Sequence, residues 1–206
     1  AHTKVSILKH AISFDEKLLL FSDQTQFILT GGTNLTPSNT SVNVTTEYET
    51  LDTVKPVGAG NNVFFGFNKG QFTGVREMYV ESDGETNQGE DITANIPKYI
   101  PSEVFKFANA SNENILVLLS NKTGEKNNLY IYQWFFSQGR RLQSAWHKWS
   151  IGASANTIGV TFTATGAGSG TGTVGAGTPA TAAAWAAGAL MALWATVDTP
   201  MMTNPF

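Results

Sequence analysis

The sequence predicts an all-β protein of antiparallel, propeller-like blades, followed by a low-complexity Ala/Gly/Thr-rich region with room for a helix. Three observations carry this. Short apolar or alternating runs separated by turn residues fill the stretch from Ala1 to Trp149. No sustained 3.6-residue apolar period occurs in that stretch, so helix is a minor component there. After Trp149 the composition changes abruptly: from Ser150 to Phe206 there is no Lys, Arg or Glu, and Asp198 is the only charge. The chain therefore divides into a β-rich region over 1–150 and a region of unassigned structure over 151–206.

The strands follow in order. Lys17–Phe21 and Gln26–Leu29 flank the polar turn Ser22-Asp23-Gln24. Ser41–Glu49 alternates and is expected to place Val42, Val44, Thr46 and Tyr48 on one face. Val63–Phe67 and Phe72–Val80 flank Asn68-Lys69-Gly70, which predicts a tight hairpin with Gly70 in the left-handed conformation. Ile115–Leu119 and Leu129–Phe136 flank a longer polar loop, Asn121–Asn128, and Arg141–Trp149 closes the series. Segments of this order and length suit up-and-down units of three or four strands. Ile115–Trp149 reads as one such unit, a blade or part of a sandwich.

The totals narrow the function classes. A length of 206 residues suits one large or two small domains and can bury a core without disulfide or metal staples. Charged residues make up 14% and the net charge is −3, which gives no electrostatic basis for non-specific nucleic-acid binding. Cysteine is absent, which removes disulfides, thiolate nucleophiles and cysteine zinc sites. His2, His10 and His147 are the only histidines, too few for a histidine cluster. The opening residues lack the apolar segment of a secretory signal. The Asn-x-Ser/Thr sequons at Asn34, Asn39, Asn43, Asn109 and Asn121 accordingly read as chance in an Asn/Thr-rich chain.

Each candidate for chemistry has a plainer competitor. The acidic stretch Glu81–Asp91, with Gly84 and Gly89, offers oxygen ligands for calcium, but its offsets miss the EF-hand loop and a solvated loop explains it. Ser144 and His147 stand three apart, so strand alternation points them to opposite faces; adjacent Asp15 and Glu16 diverge likewise. Gly-rich 166–177 lacks the Lys-Ser/Thr of a phosphate-binding loop. Arg140 and Arg141 near Trp134, Phe135, Phe136 and Trp146 suggest stacking on nucleic acid, against strand core with arginines at a loop tip. Ala180–Val197 is uncharged and approaches the length of a membrane span, with Ala184 and Gly188 as a small-xxx-small pair. It lacks flanking basic residues, so a buried or interface helix is expected. No catalytic, cofactor-binding or metal-binding residue is assigned.

Several strings resemble the tail tubular protein B (nozzle) family of short-tailed bacteriophages. They are Thr3–Ala11, Phe14–Leu29, Leu35-Thr-Pro37, Lys55-Pro-Val-Gly58, Gly74-Val-Arg-Glu77, Glu90-Asp-Ile-Thr-Ala94, Ile96–Pro101 and Gln143–Trp149. The resemblance covers about residues 1–150, in the same order along the chain. It implies a catalytically inert, propeller-like β domain in a homo-oligomeric ring, expected to be a hexamer, around the channel through which the genome leaves the virion. The implied partners are further copies of the chain, an adaptor (tail tubular protein A) and tail fibre proteins. Double-stranded DNA passes transiently, no cofactor is needed, and no stable membrane association is expected. Members of the family are much longer, so the chain is expected to be a piece or truncated relative holding two to three blades' worth of strands. Two alternatives from other classes are a carbohydrate-binding or carbohydrate-cleaving host-surface module using exposed Trp134, Trp146 or Trp149, and a membrane-active segment at Ala180–Val197.

Overall fold

A computed structural model describes residues 6–14, 17–31, 36–80, 87–110, 114–137, 140–151, 156–164 and 191–198. Among them there are fourteen strands and no helix. Twelve of the strands form three four-stranded antiparallel sheets: β1 (Leu8–Phe14) to β4 (Ser41–Thr46), β5 (Val57–Ala59) to β8 (Asn87–Asp91), and β9 (Val104–Ala110) to β12 (Arg140–Ser150). In each sheet the strands are neighbours in chain order, the up-and-down arrangement expected from the sequence. β13 (Asn156–Ala164) and β14 (Met191–Asp198) form a separate antiparallel pair. Contacts divide the chain into two compact units, 1–107 and 108–206, with the division inside β9. The change of composition after Trp149 coincides with the end of β12 at Ser150.

In the first unit the hairpin β6 (Asn62–Lys69) and β7 (Phe72–Val80) is buried on both faces. One face carries Val63, Phe65 and Met78, which join Phe14, Leu19 and Phe21 of the first sheet in a single apolar cluster. The Phe21 and Phe65 rings pack at 5.2 Å between centroids. Burying each of these side chains contributes about 2 kcal/mol. The other face carries Phe64 and Val75, both fully buried. A Cβ at Gly66 on this face would meet Leu51 at 2.9 Å and Phe107 at 3.4 Å, so the glycine permits close covering. The turn is Gly70-Gln71, and Gly70 takes the left-handed φ of +69° expected from the sequence.

One sequence expectation fails at β4. Val44 pairs with Phe27 whereas Thr46 pairs with Gln26, so Thr45 is an extra residue in the ladder. The bulge returns Thr46 to the core side, while Val42 and Val44 face outward and are exposed. Thr46 turns inward toward Gln26, which is fully buried. The Gln26 amide nitrogen donates to the Tyr48 carbonyl and to Thr50 Oγ1, both at 2.9 Å. Its Oε1 accepts from Thr46 Oγ1 at 2.8 Å and the Tyr48 N–H at 3.1 Å. All four hydrogen-bonding positions of a buried amide are thereby satisfied.

Two further expectations are corrected. Asn87–Asp91, expected as part of a solvated loop, is the edge strand β8, held by its ladder to Arg76–Val80. Met191–Val197, expected within a helix, belongs to β14, whose backbone is satisfied by the ladder with β13; Ala180–Leu190 lies outside the described residues.

Two stability outcomes are expected in chemical denaturation. Gln26→Leu strands two donors and two acceptors and costs about 3 kcal/mol. A Cβ at Gly74 would lie 2.3 Å from the Phe67 ring opposite it. Gly74→Ala therefore costs more than Gly70→Ala, whose strain is limited to about 1–2 kcal/mol of left-handed backbone.

Candidate functional site

The densest polar constellation joins β7, β8 and the turn that follows β8. Lys69 Nζ lies 2.7 Å from Asp91 Oδ2, with both side chains about a quarter exposed. Asp91 Oδ1 accepts from the Thr93 N–H at 2.8 Å and from Thr93 Oγ1 at 2.6 Å. Thr93 Oγ1 in turn accepts from the Val75 N–H at 3.2 Å, and the Ile92 N–H donates to the Val75 carbonyl at 3.1 Å. The Thr73 N–H donates to the Ile100 carbonyl at 3.0 Å. Three strings singled out in the sequence, Gly74–Glu77, Glu90–Ala94 and Ile96–Pro101, are thus stitched to one hairpin. Burial pushes the Asp91 pKa up, but the hydrogen bonds from Lys69 and Thr93 and the Lys69 charge outweigh it and hold Asp91 below 3.8.

Beside this node Arg76 is clamped between two rings. Its Cζ lies 4.2 Å from the Tyr48 centroid and 5.1 Å from that of Phe67, and its Nη1 donates to the Gly89 carbonyl at 3.0 Å. A Cβ at Gly89 would meet Tyr48 at 2.6 Å and Arg76 at 2.9 Å, so glycine is what lets ring, guanidinium and strand stack. Asn87 Nδ2 donates to Thr45 Oγ1 at 2.6 Å and ties β8 to β4. Lys69, Asp91 and Arg76 are all engaged within the protein.

The sequence-nominated residues are dispersed. In the acidic stretch, Glu81–Thr86 lies outside the described residues, and Asp91 is committed to Lys69 and Thr93. No group of three or more potential metal ligands occurs among the described residues. Ser144 pairs with Trp134 and His147 with Ile131, on opposite faces of β12 as alternation requires. The His147 ring lies 5.7 Å from that of Trp149, and burial lowers its pKa below 6.5. Asp15, Glu16 and 166–177 fall outside the described residues. Trp134 is buried and stacks on Tyr132 at 5.3 Å, and Trp146 lies 4.9 Å from the same ring. Trp149 is exposed and Trp146 half-buried. Arg141 lies in β12, whose ladder runs through it. Among the described residues no helix is long and apolar enough to cross a membrane.

Sequence reasoning missed both the Gln26 amide and the Lys69–Asp91 pair. Their partners stand 20 to 24 and 22 residues away, so no local spacing marks them. In the third sheet, Glu125 was equally unmarked. Its Oε2 accepts from Tyr130 Oη and Asn128 Nδ2, both at 2.6 Å. The Tyr130 hydrogen bond foremost, with those of Asn128 and the charges of Lys148 and Lys122, outweighs burial and lowers its pKa below 4.5.

The bacteriophage nozzle protein family matches residues 1–166. The sequence is also 32% identical over 156 residues to the tail tubular protein gp12 of Escherichia phage T7, a match covering 75% of this chain and 19% of that protein. The chain thus spans about a fifth of the length of that relative.

The pH dependence of stability follows from these shifts. Asp91 and Glu125 have folded pKa values below their unfolded ones, so their stabilisation is present above about pH 4.5 and is lost as pH falls through the folded values. His147 binds its proton less readily when folded, so stability also declines as pH drops below about 6.5. Thermal melts between pH 7 and 3 are expected to show both limbs. His147→Gln flattens the upper limb alone, and Asp91→Asn reduces the lower.

Proposed function

Because this chain belongs to the bacteriophage nozzle protein family, we propose that it is a structural piece of a phage tail, located in the virion. In this reading it forms part of the wall of the channel for genome ejection and a platform for adaptor and fibre proteins, and it works without catalysis. Family membership across residues 1–166 is the observation that carries the proposal.

The physical chemistry supports it. A channel wall needs sheet that resists deformation, and the all-antiparallel meanders supply it through ladders within the sheets and, between the first two, apolar burial. DNA must also slide without adhering. Each phosphate held by a Lys or Arg strengthens binding, and a chain with 13 Lys and Arg against 16 Asp and Glu forms few such contacts. Residues 1–150 are assigned the nozzle role in this proposal, with 151–206 a distinct C-terminal region. The ring is proposed to be a homohexamer.

Cryo-electron microscopy of the particle carrying this chain tests the proposal. The expected result is density for the three meanders in a ring around the tail axis, with six-fold symmetry. A monomeric copy on the periphery of the particle sinks it.

A further inference from the structure

Charge is unevenly spread along the chain. Residues 1–113 hold eight Lys and Arg against fourteen Asp and Glu. From Asn114 to Val197 the balance reverses, with five Lys and Arg against a single acid, Glu125. The net charge of −3 therefore conceals a basic stretch, and contact with a polyanion is governed by local charge rather than by the total.

Three of those five cations belong to one end of the third sheet. Lys122 and Lys126 lie in the loop between β10 (Ile115–Ser120) and β11 (Asn128–Ser137), and Lys148 lies near the end of β12. The ladder sets Lys148 opposite Tyr130, and its Nζ stands 5.9 Å from the centre of that ring. The Tyr130 hydroxyl donates to Glu125 Oε2 at 2.6 Å. That hydrogen bond does most to lower the Glu125 pKa, and the charges of Lys148 and Lys122 add to it, so both ammonium groups stand close to this carboxylate. Lys126 follows Glu125 in the chain, and it and Lys148 are exposed.

The loop is held in shape by its own hydrogen bonds. The Glu125 N–H donates to the Lys122 carbonyl at 2.9 Å and the Asn128 N–H to the Glu125 carbonyl at 3.0 Å, which makes two successive turns. The Lys122 N–H donates to Ser120 Oγ at 3.1 Å, and Asn127 Nδ2 to Ser150 Oγ at 3.3 Å. The Ile151 N–H closes on the Asn127 carbonyl at 2.9 Å. Gly124 takes a φ of +85°, and a Cβ there would meet nothing within 4 Å, so the outer side of the turn is open. A loop ordered in this way loses little conformational freedom on binding.

Its composition selects the class of partner. From Asn121 to Asn128 there is no apolar residue. Protein interfaces are anchored by aromatic and Arg side chains and are depleted of Lys. The exposed Trp149 lies on the face of β12 opposite Lys148. A sugar–phosphate backbone needs only ammonium charges and short polar donors. Asn121 and Thr123 are exposed donors in the same loop.

We propose that the Asn121–Asn128 loop, with Lys122, Lys126 and Lys148, is the surface by which this chain touches the phosphate backbone of double-stranded DNA. This rests on the tail reading above and names the contact within it. Lysines that neutralise phosphates carry no sequence information, so any genome is met alike. Three such contacts make an attachment that dissolves readily with salt, falling about 40-fold between about 50 and 200 mM.

Titration of a short labelled duplex with the chain, read by fluorescence anisotropy over that salt range, tests the contact. Lys122→Gln, Lys126→Gln and Lys148→Gln are each expected to lower the slope of log affinity against log salt by about 0.9 for every chain on the duplex, alike on any base sequence. The triple Gln variant is expected to lose the salt dependence contributed by the loop. The triple Arg variant keeps the charge and is expected to retain it. Lys55→Gln removes an exposed lysine outside the loop and is expected to leave the slope unchanged. A wild-type chain that fails to bind the duplex at the low-salt end, a triple Gln variant with an unchanged slope, or an equal loss from Lys55→Gln overturns the proposal. So does a triple Gln variant that binds DNA normally and no longer assembles, which assigns the lysines to an acidic protein surface. A ring on the tail axis seen by microscopy alongside any of these results refutes this contact and leaves the tail reading standing.

Discussion

The first unit depends on the β6–β7 hairpin, because burying a strand on both faces constrains everything placed around it. Such a strand has no solvent side on which to discard a polar group. Val63, Phe65 and Met78 fill one face and Phe64 and Val75 the other. Polar groups at the hairpin find partners across the strands: Asn62 donates to Glu77, Thr93 receives the Val75 N–H, and Arg76 lies over two rings. An unpaired buried polar group costs about 1–3 kcal/mol, so these contacts decide whether the hairpin can occupy the centre.

The same constraint explains the positions of three glycines. Gly66 admits Leu51, Gly74 lies beneath the Phe67 ring and Gly89 beneath Tyr48 and Arg76. Gly66 admits a neighbouring segment, whereas Gly74 and Gly89 make room for side chains of the strands beside them. The Phe67 ring that shields Gly74 also serves Arg76 and Lys69, and Lys69 pairs with Asp91. Packing and charge are therefore coupled in this unit. The coupling ties the packing around the hairpin to the placement of its charges.

The β4 bulge links this interior to the outer surface. By inserting Thr45 it turns Thr46 toward Gln26 and lets Val42 and Val44 face outward. One irregularity thus completes a buried polar network and sets the register of the exposed Val42 and Val44. Asn87 bonds the inserted threonine and fastens β8 to the same point.

Strand identity was legible in the sequence wherever local pattern decides it. The runs Lys17–Phe21, Val63–Phe67, Phe72–Val80 and Ile115–Leu119 became β2, β6, β7 and β10, and the Asn68-Lys69-Gly70 signal marked a turn at Gly70. Short turns make sequential strands neighbours, so the meander order was legible as well. The tertiary structure alone decided what depends on partners distant in the chain. Nothing local shows that polar Asn87–Asp91 is a strand, since its ladder with Arg76–Val80 supplies the ordering energy. Nothing local separates Val44 from Thr46, because a bulge is defined by the opposing strand. Met191–Val197, in an Ala-rich context that favours helix, became strand by pairing with β13. Propensity acts within a few residues, whereas hydrogen-bond satisfaction is settled across the whole fold, and where the two disagreed the fold prevailed.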